Sequence, residues 1–477
     1  MKIEHQLFIG GAWRFACGDD DLPVTDSYTE EPFASYRSAS PGDVDAAVRA
    51  ASVALPRWSA TPLRERVAAV RRVADGLRRH GDAIAGLISR EVGMPAKLCA
   101  RIQAGAPIAA WDMYAELAPQ LEWERRIGHS LVQQVAVGVV ACITPWNYPL
   151  HQVTAKVAPA LLAGCTVVLK PSELAPSSAF LLAEAIEQAD LPPGVFNLVH
   201  GSGPEIGEAL VTHPEVDMVS FTGSTRAGQR IAALAAQDIK RVALELGGKS
   251  AALVLPGADL ATAVRSTLGS CFLNSGQTCS ATTRLLVPRA QAGPAAHLAG
   301  ELACGWVMGD PADPATRLGP LVSAAQRERV RAMVDAAIAE GAELATREGT
   351  LPPRGFFFPP TVLAKVTPEM AIAREEVFGP VLVVIPYDSV DEAVAIANGT
   401  GYGLAATVWG AAPAGALPVA RRLRAGQVDI NGAPFNPQAP FGGFKRSGIG
   451  RENGLAGIEE FLEPVSLQLP PAYFEAS

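Results

Sequence analysis

The sequence predicts an α/β protein carrying two parallel sheets. From residue 138 onward, short β-branched runs alternate with helical segments, the pattern of a parallel sheet covered on both faces. A second set of such runs begins after the Gly247-Gly248 pair, which implies a second α/β domain packed closely on the first. The chain has 477 residues, 49% hydrophobic and 18% charged, long enough for two or three separate cores. A peptide hormone, a disordered tail and a disulfide-stapled miniprotein are excluded.

Helical periodicity runs over 43–58 and 62–92. In the second stretch Thr61 can cap, Pro62 suits the first turn, and Val67, Val70, Val73, Ala74 and Leu77 recur at three-to-four spacing, so the N-terminal quarter is expected to be mainly helical. The strands of the first sheet are then VGVVACIT, CTVVLK, VFNLV, DMVSF and RVALEL. After LELGGK come SAALVL, a helix near 259–273, RLLVP, a helix near 323–340, and the strands PVLVVIPY, LAATVWG and GQVDIN. The Pro/Gly-rich stretch 349–360 reads as a surface connection. A cleft between the two domains is the expected ligand site.

Forty Lys plus Arg against 48 Asp plus Glu give a formal charge of -8, which offers no footprint for nucleic acid or an anionic membrane. Seven scattered cysteines without a CxxC pair suggest a reducing compartment. The opening MKIEHQLFIGGAW lacks a basic segment followed by a long apolar one, and the apolar run 135–143 is too short to span a bilayer, so a soluble cytoplasmic protein is expected. Seven dispersed histidines without HExxH or a Cys/His cluster give no reason to expect a metal site.

Four segments can carry chemistry. In GQTCSATTR, Cys279 follows Gly276 among small polar residues, where a thiol can stay accessible as a nucleophile or be one more buried cysteine. Glu245 closes an apolar strand, where burial suits a general base and a structural salt bridge is the competing role. Asn147, between strand and helix in ITPWNYPL, can donate to an oxyanion or merely cap the helix. Lys170 and Glu173 in LKPSE and Gly223 and Ser224 in FTGST lie at strand ends that suit a nucleotide; the alternatives are a turn at Gly223 and a helix cap at Ser224 or Thr225.

Together these pieces resemble the aldehyde dehydrogenase superfamily. PWNYPL at 145, KPSE at 170, FTGST at 221, LELGGK at 244, GQTCS at 276, EEVFGP at 375 and PFGGFKRSGIGRE at 440 occur in the family's order over nearly the whole chain. The resemblance implies two doubly wound Rossmann-like domains with a small β oligomerisation arm. The dinucleotide-binding domain would take 1–116 and 137–247, the catalytic domain 248–444, and the arm 117–136 with 459–477. It further implies Cys279 as nucleophile, Glu245 as base, and Asn147 with the Cys279 amide as oxyanion hole. Lys170 and Glu173 would hold the adenosine ribose, Trp146 the adenine half, Ser224 the pyrophosphate, Glu376 the nicotinamide ribose, and Phe378 would lie beside the nicotinamide.

Glu245 sets the chain with members that release an acid by hydrolysis, and the Glu173 carboxylate favours NAD over NADP, whose use stays possible. Tyr148 is retained in the substrate tunnel, but Ala155 and Leu273 stand where relatives often carry large rings, so an aromatic cage for a trimethylammonium group is incomplete. A widened entrance at Ala155, with polar contacts from His151 and Gln152, is expected to admit a bulky, aromatic or terpenoid aldehyde; a small aliphatic aldehyde or a semialdehyde is the alternative. The arm implies a homo-oligomer, dimer or tetramer. A thiol esterase or acyl transferase, and a non-catalytic binding protein, are the readings from other functional classes.

Overall fold

The computed structural model describes residues 6–347, 349–470 and 473. Residues 1–5, 348, 471, 472 and 474–477, which belong to the expected domain and arm segments, lie outside the described residues. An eight-stranded sheet has the order Gly448–Ile449, Arg241–Glu245, Met218–Thr222, Val139–Ile143, Thr166–Lys170, Phe196–Leu198, Gln6–Ile9, Ala12–Phe15. Its five central strands are parallel, whereas the outer ones at both edges run antiparallel. A seven-stranded sheet follows, in the order Glu343–Leu344, Thr361–Ala364, Val381–Tyr387, Thr282–Pro288, Ser250–Val254, Ala405–Trp409, Gln427–Ile430. It is parallel except for its first strand.

The central strands are buried at every position because both faces are covered. Alternate residues feed opposite cores. Val140, Cys142 and Val167 join one cluster while Val139, Ala141 and Val168 join another, and Ala251 and Leu253 separate in the same way from Ala252 and Val254. Covering helices begin and end on local signals. Pro149 starts the helix Pro149–Ala163, which stops at Gly164 with φ 94°, and Asp259 caps Leu260–Phe272 through the amides of Ala261 and Thr262.

The N-terminal quarter is mainly helical, as expected, but it opens on strands. Gln6–Ile9, Ala12–Phe15, Asp21–Thr25 and Pro32–Arg37 are strands, because these short half-buried runs pair in hairpins rather than forming a helical stripe. The stretch 62–92 is two helices, Leu63–Arg79 and Gly81–Val92, broken at His80. Thr61 is no cap: Pro62 holds that position, and the Thr61 hydroxyl donates to the Arg57 carbonyl of the preceding helix at 2.9 Å. The helix Ala292–Cys304 and the strands Glu343–Leu344 and Thr361–Ala364 were not anticipated. The connection 349–360 buries Phe356, Phe357 and Phe358 instead of lying wholly on the surface.

A third sheet pairs Leu462–Gln468 with Ser130–Ala136 and the latter with Glu124–Ile127, all antiparallel. Residues 117–120 complete a helix and a short 3-10 turn before it. Among the described residues, no helix is long and apolar enough to cross a membrane.

Candidate active site

The loop carrying Cys279 is held in a strained path. Asn274, Ser275 and Gly276 follow one another with φ of 53°, 57° and 79°, a left-handed run that costs a non-glycine residue about 1–3 kcal/mol. Only glycine fits at 276, since a Cβ there would come within 2.0 Å of the Gly379 carbonyl oxygen. Phe378, next to that glycine, is itself left-handed at φ 58°. Buried polar side chains hold these turns. The Gln277 side chain donates to the Asn274 carbonyl at 3.0 Å and accepts from the Val322 amide at 2.9 Å, and Ser275 Oγ donates to the Gly319 carbonyl at 2.7 Å.

Asn147 is buried at the end of strand Val139–Ile143, and its Nδ2 donates to the Gln277 carbonyl at 3.0 Å, two residues before Cys279. Its own carbonyl accepts from Gln103 and Asn274, which fixes the turn. A primary amide has a second N–H, so the side chain can serve both the loop and a developing oxyanion. It is not the cap that local sequence allowed, because Tyr148 takes that place and supplies no side-chain bond.

Cys279 is partly accessible and lines a cleft of about 780 Å³. Burial, with Glu376, Glu245 and Glu452 around it, pushes the thiol up to about 12. The resting group is therefore a protonated thiol, which needs a base before it can attack. Tyr148, His151 and Leu273 line the same cleft, with Tyr148 Oη 2.8 Å from Thr278 Oγ1. Burial holds the His151 imidazole below its ordinary value, so it is neutral. Ala155 does not line the cleft. It is 3% exposed, and the small side chains that line the cavity include Ala106, Ala109 and Ala110 on helix Ala106–Leu117. The expected widening at 155 is corrected accordingly.

Glu245 ends its strand buried, with no partner for either carboxyl oxygen among the described residues. It faces a separate chamber of about 10 Å³, lined also by Lys156, Ser220, Arg451, Glu452 and Glu460. Burial and the Glu452 charge raise its pKa well above the ordinary 4.5, while Lys156 and Arg451 oppose them. It is thus not the salt-bridged carboxylate that was the alternative. Glu452 borders both spaces and pairs with Lys156 Nζ, which also donates to Thr222 Oγ1 at 2.6 Å. Neither residue was singled out from the sequence. A lysine inside the wholly apolar turn VTAKVA was the available signal for Lys156.

The remaining sequence candidates gather at strand ends. Lys170 is buried, its Nζ donating to the Pro171 carbonyl at 2.9 Å and lying 3.7 Å from the half-exposed Glu173 carboxylate. The Gly223 amide is committed to the Glu245 carbonyl at 3.0 Å, and a Cβ at 223 would strike the Phe221 ring at 2.4 Å, so this glycine acts as a turn. Ser224 caps helix Thr225–Ala235 by accepting from Ala227, which leaves its O–H able to donate beside the first-turn amides. Glu376 accepts from the Gly248 amide at 3.0 Å and is pushed by burial to about 7; a Cβ at Gly247 would lie 2.2 Å from its carboxylate. Trp146 meets Phe378 edge to face at 5.4 Å. The two rings therefore share one end of the groove, which corrects the separation of Trp146 to the adenine end and Phe378 to the nicotinamide end. Among the described residues, no three His, Cys, Asp or Glu side chains are grouped to hold a metal ion.

The model of the aldehyde dehydrogenase family matches residues 13–467 of the chain. A 3-succinoylsemialdehyde-pyridine dehydrogenase of Pseudomonas is 44% identical over 97% of this chain and 98% of its own. A mutant of aldehyde dehydrogenase C from Pseudomonas syringae, solved with NAD+ and octanal, superposes with a TM-score of 0.95 at 46% identity, covering 97% of this chain and 96% of that one. An aldehyde dehydrogenase of Mycobacterium tuberculosis in complex with NAD+ gives a TM-score of 0.96 at 39% identity, over 99% and 100% of the two chains.

Proposed function

Since this chain belongs to the aldehyde dehydrogenase family, we propose that it oxidises an elongated or bulky, largely apolar aldehyde to the carboxylic acid, with NAD as preferred acceptor. The observation that carries the reading is the position of Cys279 in a cleft of about 780 Å³ lined by the small residues Ala106, Ala109 and Ala110 and by Leu273, Trp409 and Phe435. Such a space buries an extended hydrocarbon or ring, each methylene contributing about 0.8 kcal/mol. The octanal in one solved neighbour and the pyridine-bearing semialdehyde in one relative's name favour the same range of sizes.

The groove residues fit a dinucleotide. Lys170 and Glu173 suit a ribose, the Ser224 helix start a pyrophosphate, and Glu376 with Phe378 and Trp146 the other ribose and ring. Bound NAD supplies the hydride acceptor. On the protein side, the Cys279 thiol loses its proton to a neighbouring carboxylate and the sulfur adds to the aldehyde carbon. Asn147 Nδ2 and the Cys279 amide stabilise the oxygen that becomes negative. After hydride loss a thioester remains. Glu245, turned from its chamber toward the cleft, takes a proton from water, whose oxygen displaces the sulfur and releases the acid.

The three-stranded sheet supports a homo-oligomer, because it exposes Ile127, Val135, Val465 and Leu467 with an open strand edge. A strictly monomeric species in light scattering would remove this assignment. The cytoplasm, as the compartment in which the scattered cysteines stay reduced, completes the reading. For the substrate, NADH formation with aldehydes of graded size is the test. Octanal and a large aryl aldehyde should exceed acetaldehyde in kcat/KM by at least about tenfold; preference for acetaldehyde would defeat the size assignment, and absence of NADH with every aldehyde the activity itself.

A further inference from the structure

Behind Ala405 and Ala406, which also line the cleft, a cavity of about 20 Å³ lies where strands Ser250–Val254 and Ala405–Trp409 begin. Its walls include three cationic side chains, Lys249, Arg284 and Arg424, together with Asn398 and Tyr402, and no carboxylate. Lys249 is 2% exposed and its Nζ has no hydrogen-bond partner among the described residues. Arg284, 3% exposed, spends its donors on the carbonyls of Lys249, Ile396 and Ala397 at 2.8–2.9 Å. Lys445 adds a fourth positive charge nearby and is held down by burial and by Arg424 and Arg284.

An unpaired buried ammonium is costly, so the group must lose its proton or gain a counter-charge. Burial and the Arg284 cation act against the Lys249 charge, and no carboxylate among the described residues reaches its Nζ with a hydrogen bond. A cavity of this volume admits one particle of about the size of a water molecule and no tetrahedral oxyanion. In a chain with a net charge of -8, such a concentration of positive groups around one small space is a local reversal of sign.

We propose that the cavity bounded by Lys249, Arg284 and Arg424 is a binding site for a single halide-sized inorganic anion. The anion accepts from Lys249 Nζ and keeps that lysine charged. Lys249 directly follows Gly248, whose amide binds Glu376, so the site stands behind the groove without belonging to the aldehyde chemistry and without depending on it.

The test uses the full-length protein, with chloride or bromide exchanged for gluconate at constant ionic strength. Halide raises Tm saturably in the wild type and at least about tenfold less effectively in Lys249→Met. Crystals grown in bromide show an anomalous peak in the cavity. Arg424 is exposed, so Arg424→Gln keeps the Tm measured in gluconate and weakens the apparent halide affinity several-fold, which holds the test open should Lys249→Met fail to fold. A cavity without a bromide peak, containing only an ordered water, overturns the proposal. So does a halide response equal in the wild type and Arg424→Gln.

Discussion

The two spaces that meet at Glu452 have opposite characters. The Cys279 cleft, about 780 Å³, combines alanines, Leu273 and aromatic rings with scattered polar side chains such as Gln152, Gln427 and Asp429, whereas the Glu245 chamber, about 10 Å³, gathers three carboxylates and two cations beside Ala243, Ile449 and Phe461. The contrast separates two tasks. Apolar wall can bury hydrocarbon but offers a carboxylate no partner. A small charged chamber keeps a raised-pKa acid close at hand without exposing it to the substrate. Lys156, donating to both Glu452 and Thr222, ties the wall between them to the end of the strand Met218–Thr222.

Removing the chamber's acid should break the comparison most severely. Glu245→Gln is expected to lower the steady-state rate by about 10²–10⁴ while leaving a burst of NADH whose size matches the enzyme concentration, because acylation outruns hydrolysis. Rapid-mixing absorbance checks it, and an unchanged steady-state rate would take Glu245 out of the hydrolytic step. On the cleft side, Asn147→Ala should cost about a hundredfold or more in kcat, the worth of one oxyanion donor. Here the burst itself slows, since the loss falls before hydrolysis; a kcat within twofold of the wild type would dismiss the residue.

The smallest effect falls on the shared wall. Glu452 raises the Glu245 pKa and Lys156 lowers it, so Glu452→Gln removes the raising charge and leaves the opposing one. The acid limb of the hydrolytic rate, set by Glu245 losing its proton as pH rises, should therefore move to lower pH. A pH–rate profile measures it. A limb that stays in place or moves upward would mean that the chamber does not set the titration.

How far these features were legible in the sequence follows the range of the forces involved. Strands buried on both faces announce themselves as β-branched runs, and Cys279, Glu245, Asn147 and Lys170 lie in motifs whose local turns fix their positions. Hairpins near the N-terminus escaped, because half-buried four-residue strands have no periodicity that competes with the helices beyond them. Ala155 shares a helical face with Tyr148 and His151 by spacing, yet whether a methyl reaches a cavity depends on the neighbouring helix. The division of the acidic groups between two chambers was equally out of reach, since Glu452 arrives there from more than 200 residues beyond Glu245.

The backbone-to-backbone contact between Gly276 and Gly379 also constrains what can stand at position 276. A Cβ at 276 would lie only 2.0 Å from the Gly379 carbonyl oxygen, so the loop that carries Cys279 packs backbone to backbone on the segment that carries Phe378. A side chain at 276 would therefore displace the turn that sets the height of the sulfur atom in the cleft.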